Sequence, residues 1–297
     1  MRYIQLIYNP MAGQRFFPMY LDRFVEIFQN KGYEVRLHRT LSADDFSTFL
    51  LGKDMSECIA IFVAGGDGSV NRVVNAMFSQ GIDLPLGVIP AGTANDFAMH
   101  LGFPGDQIEA IEQLSNMKIG RVDVGKVNDA YFVNVCCGGL FANISQNIDV
   151  ELKNTLGKLA YYIKGIGQLP GFSKLRFKIE HEDGIIDDDF YLFLLLNGSS
   201  AGGFSRLGHD ANIEDGVMDF IGIKACPVQD IPGLFGKILI GEHLNDKNIV
   251  FFKSSHLKIE CTKGIKGFEE SDIDGETGPK FPLEIEVLHR RLQVIKP

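Results

Sequence analysis

The stretch Ile59-Ala-Ile-Phe-Val-Ala-Gly-Gly-Asp-Gly-Ser-Val-Asn71 runs an apolar segment straight into three glycines, an aspartate and a hydroxyl residue. Behind it Val70, Val73, Val74, Met77 and Phe78 recur on one helical face. Glycines at a strand exit let backbone N–H groups approach an anion, and a following helix presents the positive end of its dipole. Gly65, Gly66, Gly68, Ser69, Val70 and Asn71 therefore form a candidate phosphate cradle. Asp67 is the odd member. A carboxylate beside phosphates is repulsive unless a cation or a donor hydrogen bond lies between them, so the charge balance asks for Mg²⁺. No lysine follows the glycines, which sets this apart from the G-x-x-x-x-G-K-[ST] loop. A plain turn between strand and helix is the alternative.

Three further segments bear on chemistry. Gly92-Thr-Ala-Asn-Asp96 supplies a turn, a hydroxyl, an amide and a carboxylate. Thr93 could donate to a phosphate, Asn95 could bond a backbone group or a ribose, and Asp96 could act in the site or cap the next helix. Glu269–Glu276 reads in isolation as a solvated acidic loop. Within it Asp274-Gly275-Glu276 is more pointed, because the glycine sharpens a turn that leaves Glu276 aimed from a strand end, as a general base needs. Ile213-Glu-Asp-Gly-Val-Met-Asp219 opens a strand with an Asp-Gly turn, where a carboxylate and nearby carbonyls suit a hard cation or form a simple turn. The seven histidines show no cluster in sequence, and Gly198–Gly203 lacks the G-x-S-x-G spacing of a hydrolase nucleophile.

Short strands alternate with helices through the first part. Tyr3–Tyr8, Tyr33–Arg39, Ile59–Val63 and Leu86–Ile89 read as strands. Leu21, Phe24, Val25 and Phe28 mark an amphipathic helix closed by Gly32, and Phe46, Phe49 and Leu50 mark a second. This rhythm predicts a Rossmann-like parallel α/β domain over 1–125, with ligands beyond the carboxyl ends of its strands. Asn9–Gly13, Gly65–Asn71 and Gly92–Asp96 all fall at such ends. Near Arg121 the pattern changes to paired strands about Asn128-Asp129, a helical interval from Ser145 to Gln168, and strands at Lys174–Glu180, Phe190–Asn197, Val217–Ile223, His256–Cys261, Leu283–Leu288 and Leu292–Ile295. Val228–Gly241 reads as a helix whose first turn Pro232 weakens. The second part, 126–287, is expected to be an antiparallel β-sandwich.

Composition narrows the partners. With 297 residues, 45% hydrophobic and 23% charged, the chain can bury a sizeable core. A formal net charge of −9 argues against nucleic acid. Five cysteines without metal-like spacing read as reduced thiols. The N-terminus reads as a first strand and Phe190–Leu196 is too short to span a bilayer, so a cytoplasmic location is expected, with any lipid contact peripheral.

Taken in order, Asn9-Pro-Met-Ala-Gly13, Gly65-Gly-Asp-Gly-Ser-Val-Asn71, Gly92-Thr-Ala-Asn-Asp-Phe97, Glu214-Asp-Gly-Val-Met-Asp219 and Asp274-Gly-Glu276 resemble the signature series of the soluble, bacterial diacylglycerol kinase-like lipid kinases. Leu156–Gly165 is similar to the bacterial members as well. The resemblance implies ATP contacts from Gly65 to Asn71 with Thr93 and Thr40, and Glu276 as proton acceptor. It implies Mg²⁺ held by Asp215 with the carbonyls of Asn212 and Val217, a lipid acceptor such as diacylglycerol, and a C-terminal segment, about 288–297, that packs back on the first domain. Ser69 stands where threonine is common, and Cys136-Cys-Gly-Gly-Leu140 is idiosyncratic. NAD kinases and phosphofructokinases also use a Gly-Gly-Asp-Gly loop with water-soluble acceptors, but Gly92–Phe97 and Asp274–Glu276 favour the lipid kinase. A non-catalytic lipid or nucleotide sensor is the alternative of another class, and retention of Asp67, Asp215 and Glu276 argues against it. Self-association as a homodimer is left open.

Between Leu152 and Ile179, Lys153, Lys158, Lys164, Lys174, Arg176 and Lys178 occur without an acid. Tyr161, Tyr162, Leu169 and Phe172 are interleaved, as in a membrane-interfacial surface. A solvated basic face over a core helix is the competing reading.

Overall fold

The computed structural model describes residues 2–139, 174–202, 204, 206–208, 211–263 and 269–297. The helical interval expected at Ser145–Gln168 lies outside them, as do Lys153, Lys158 and Lys164.

In the first half, β1 (Tyr3–Tyr8), β2 (Glu34–Arg39), β3 (Cys58–Gly65) and β4 (Leu86–Pro90) lie parallel in the order β4-β3-β1-β2. Every residue of β1 is buried, which is why these strands read as unbroken apolar runs instead of alternating ones. Helices α1 (Phe17–Asn30), α2 (Asp45–Leu50), α3 (Asp67–Ser79), α4 (Asp96–His100) and α5 (Gln107–Leu114) connect and cover the strands. Phe24 and Phe28 of α1 meet Phe62 of β3 with ring centroids 5.4 and 4.8 Å apart. Edge-on contacts of this kind add to the area they bury.

The second half is antiparallel, as expected. Its strands are β5 (Lys118–Val127), β6 (Ala130–Phe132), β7 (Val135–Gly139), β8 (Leu175–His181), β9 (Gly184–Leu196), β10 (Met218–Lys224), β11 (Ile249–Ser254), β12 (His256–Lys263), β13 (Glu270–Ile273), β14 (Glu276–Lys280) and β15 (Leu283–Lys296). Val127, Phe132, Phe177, Phe193, Phe220, Leu257 and Ile285 belong to its main core.

The two halves are one sheet. Its path runs β14-β13-β7-β9-β8-β12-β15-β4-β3-β1-β2. The continuity comes from β15, 14 residues long, whose start pairs antiparallel with β12 and whose Val294 stands beside Leu86 of β4. β5 follows β15 from Ile285↔Val127 to Lys296↔Lys118, with a register shift between Leu288 and Leu292. Two short strands expected at Leu283–Leu288 and Leu292–Ile295 are therefore one element with an irregularity inside it.

β9 begins at Gly184, earlier than the expected Phe190, because Asp187, Asp188 and Asp189 look like turn residues in sequence but are paired here. They face Arg176 at 2.7 Å, Lys224 at 2.9 Å and Lys174 at 2.5 Å. Lys178 pairs with Glu180, so the described end of the basic stretch is charge-compensated. Val228–Asp230 forms a 3-10 turn and α6 spans Ile231–Ile240. Pro232 sits in the first turn of α6, where the missing N–H would have had no helical acceptor, so it starts the helix and does not weaken it.

Candidate active site

The loops after β1, β3 and β4 emerge at the same end of the parallel strands and touch backbone to backbone. A Cβ on Gly92 would stand 2.3 Å from Gly66 Cα, so two of these loops can meet this closely only if residue 92 is glycine; a Cβ on Gly66 would be tight, at 3.2 Å from Gly92 Cα. Gly92→Ala is expected to push the loops apart at a strain of about 1–3 kcal/mol and to weaken nucleotide binding at least ~10-fold, read by calorimetry. Wild-type affinity would show that the close approach is dispensable. Asn95, left-handed at φ +57°, closes the third loop on itself. Its Oδ1 accepts the Gly92 N–H at 2.7 Å and its Nδ2 donates to the Gly92 carbonyl at 3.0 Å. Asn95 therefore serves a backbone group in this turn.

Beneath these loops lies a cavity of about 420 Å³ whose lining includes Asn9, Gly13, Thr40, Gly66, Gly68, Ser69, Arg72, Gly92 and Glu276. Helix α3 starts at its wall with Gly66 as N-cap and no side-chain cap; the Ser69 and Val70 N–H groups donate to the Gly66 carbonyl, which leaves the Asp67 and Gly68 amides to meet an anion. Of the expected nucleotide contacts, Thr40, Gly66, Gly68 and Ser69 line this cavity, whereas Gly65, Asp67, Val70, Asn71 and Thr93 do not. Val70 is buried in the core. Asn71 gives its amide to the Tyr131 carbonyl and to Asp274 Oδ2, both at 2.9 Å, and so ties the halves together.

Glu276 reaches the cavity from the opposite half. It opens β14 after a two-residue turn, Asp274 at φ +52° and Gly275 at φ +85°, the positive-φ pair that Asp-Gly favours in a hairpin. A Cβ on Gly68 would lie 2.6 Å from Glu276 Oε1, so the carboxylate stands over the first turn of α3. The expected solvated acidic loop is thus corrected: Ser271, Asp272, Ile273 and Asp274 are buried. Asp274 accepts hydrogen bonds from the N–H groups of Val133, Asn134 and Val135 and from Asn71 Nδ2, all at 2.8–2.9 Å. Burial pushes its pKa up to about 6 against the pull of those donors. At neutral pH it is a carboxylate, able to accept from all of them.

The sequence matches two family descriptions that together span nearly the whole chain: a diacylglycerol kinase catalytic domain over residues 4–127 and a YegS C-terminal NAD kinase beta sandwich-like domain over residues 134–296. It is 33% identical to a diacylglycerol kinase of Bacillus subtilis, covering 100% of this chain and 97% of the relative. Against a diacylglycerol kinase of Staphylococcus epidermidis it is 32% identical, covering 99% and 92%. The chain belongs to the diacylglycerol kinase-like lipid kinases. A crystal structure of a diacylglycerol kinase from Bacillus anthracis superimposes with a TM-score of 0.80 at 28% identity, over 100% of this chain and 97% of that one.

In this lipid kinase a partly buried polar chain joins the halves beside the cavity. Asp67 Oδ1 accepts from the Phe97 N–H and from Asn134 Nδ2, both at 3.1 Å. Asn134 Oδ1 lies 3.4 Å from His100 Nδ1, and His100 Nε2 accepts the Ser200 N–H at 3.1 Å. The acceptor role of Nε2 places the ring proton on Nδ1. Burial lowers the His100 pKa, so the ring stays neutral near pH 7. Ser200 Oγ donates to Asp96 Oδ1 at 3.0 Å. Burial raises the Asp96 pKa, and the charge of Asp67 adds to the effect. Asp96 is therefore not a cap; Asn95 is the N-cap of α4, without a side-chain cap bond.

Arg72, His100, Asn134 and Ser200 escaped the reading of motifs, and so did this cluster around a histidine. Asp96 and His100 are four apart on one helix face, as are Gly68 and Arg72, and that spacing was the available signal. Asn134, between β6 and β7, and Ser200, in the loop after β9, come from distant parts of the chain and carried none.

The Asn212–Val217 turn is separate from the chain of contacts at Asp67. Asp215 is exposed and its Oδ1 accepts the Val217 N–H at 3.2 Å. The turn is anchored on buried Asp123, which accepts from the Gly216 N–H at 2.7 Å, the Arg290 N–H at 2.6 Å and His289 Nδ1 at 2.9 Å. A carboxylate with the carbonyls of Asn212 and Val217 is an all-oxygen donor set that fits a hard cation. Among the described residues no group of three or more His, Cys, Asp or Glu side chains could hold a metal, and no helix is long and apolar enough to cross a membrane.

Proposed function

We propose that the kinase transfers the γ-phosphoryl group of ATP to the hydroxyl of a lipid, with diacylglycerol as the acceptor by likeness to its relatives. The observation that carries this reading is Glu276 standing over Gly68, a carboxylate at the head of α3 across a cavity of nucleotide size. The triphosphate would lie against the first-turn amides of α3, with Thr40 and Ser69 on the cavity wall. Glu276 would accept the proton as the lipid oxygen bonds to the γ-phosphorus. The bond from that phosphorus to the β–γ bridging oxygen breaks, and its electron pair leaves with ADP.

Bound Mg²⁺ would supply charge neutralisation on the phosphates. Asp67 is suited to hold it, since its Oδ2 has no donor among the described residues while Oδ1 is fixed by two. Asn212, Asp215 and Val217 would hold a second cation that stiffens the turn against Asp123. Asp67→Asn is expected to lower transfer at least ~100-fold at millimolar Mg²⁺, the loss of one preorganised electrostatic partner. Ordinary activity at ordinary Mg²⁺ would exclude the metal role.

Access to such an acceptor requires peripheral membrane contact; Lys174, Arg176 and Lys178 are paired with carboxylates, so the candidates for it are the basic residues earlier in the stretch, Lys153, Lys158 and Lys164. The reading is tested by incubating the protein with radiolabelled ATP and a total lipid extract, with NAD in a parallel reaction, and identifying the product by mass spectrometry. A phosphorylated lipid is expected; label on NAD alone, or on nothing, would contradict it.

A further inference from the structure

Glu276 does not face the cavity alone. Arg72, one helical turn beyond Gly68, holds it with a forked pair of contacts, Nη2 to Oε2 at 2.5 Å and Nε to Oε1 at 3.3 Å. Arg72 is also 3.6 Å from Asp44, whose side chain is 90% exposed and so contributes little. Among the described residues lining the cavity, Arg72 is the one formal cation and Glu276 the one formal anion.

The pairing creates a chemical difficulty. Each oxygen of the Glu276 carboxylate faces a guanidinium nitrogen, which takes up acceptor capacity an incoming hydroxyl needs, and a triphosphate entering the cavity meets a carboxylate of its own sign. A change of partner by the guanidinium frees both carboxylate oxygens and puts a cation on the phosphate, because its planar fork matches phosphate as well as carboxylate.

We propose that Arg72 is a specificity residue that reads the terminal phosphate of the nucleotide: it is held by Glu276 in the empty enzyme and passes to the γ-phosphate on binding, releasing Glu276 for proton transfer. Arg72 can act in this way only if the cavity takes a triphosphate, as proposed above. ADP lacks the group that draws the arginine away, so it leaves Glu276 clamped. Glu276 and the phosphate then compete for one cation, and that competition has a thermodynamic signature.

The test is calorimetric titration with AMP-PNP and ADP, both with Mg²⁺. Arg72→Gln is expected to weaken AMP-PNP binding about 10- to 100-fold, as for loss of hydrogen bonds to a charged group, with a much smaller effect on ADP. Arg72→Lys should restore part of the loss, since the charge returns without the fork. Glu276→Gln should tighten AMP-PNP about 2- to 5-fold, the scale of a partly exposed ion pair. That gain should vanish in the Arg72→Gln background. A role confined to positioning Glu276 would lower kcat and leave both affinities unmoved, overturning the proposal. Equal weakening of ADP and AMP-PNP would overturn it too, as would a Glu276→Gln gain that persists without Arg72, which is simple charge repulsion. If the unaltered protein binds no AMP-PNP, the nucleotide site itself is wrong and the role of Arg72 falls with it.

Discussion

Glu276→Gln lowers kcat for lipid phosphorylation by about 10²- to 10⁴-fold, the usual contribution of a positioned general base. The substitution keeps the shape of the side chain and the turn behind it, so loss of activity reports lost proton acceptance and not a collapsed site. Gly68 leaves just enough room for Glu276 Oε1, and glutamine occupies the same space. Steady-state kinetics with saturating ATP and dispersed lipid measure the effect, and circular dichroism confirms the fold. A variant within threefold of wild type would remove Glu276 from the proton-transfer step.

Asp274→Ala is expected to destabilise the protein by at least ~3 kcal/mol, since each buried donor left without its acceptor costs about 1–3 kcal/mol. The loss leaves the N–H groups of Val133, Asn134 and Val135 without their side-chain acceptor in a buried place and the Asn71 amide with the Tyr131 carbonyl alone. Those groups lie where the chain leaves β6 for β7, and Asn71 lies on α3, so one carboxylate fixes the Glu276 turn against both halves. Urea unfolding at pH 7 measures the change. A difference below 1 kcal/mol would mean that the turn is held by its backbone pairing alone. Catalysis by the Asp274 variant should fall with stability, because Glu276 is the next residue but one.

Much of the first half was legible because its signals are local. Apolar runs, helical periodicity at Leu21–Phe28 and glycines at strand exits each state their role within a few residues. The three loops at one end followed from the parallel arrangement those elements imply. The second half was harder for a physical reason. Asp187–Asp189 and Glu270–Asp272 are polar stretches that become strand only because other strands pair with them. β15 looked like two strands since its irregularity after Leu288 breaks the pattern, yet it joins the whole sheet. At the site, Glu276 stood out through its Asp-Gly turn, whereas Arg72 is one charged residue on a helix and carries no turn or motif of its own. Its significance appears only when β14 brings Glu276 within 2.5 Å.

A crystal structure of the protein with Mg²⁺ and AMP-PNP tests the central claim most directly. The account predicts the γ-phosphate at the first turn of α3, against the Asp67 and Gly68 amides and facing Glu276. A triphosphate bound elsewhere, with Glu276 remote from it, would contradict the account.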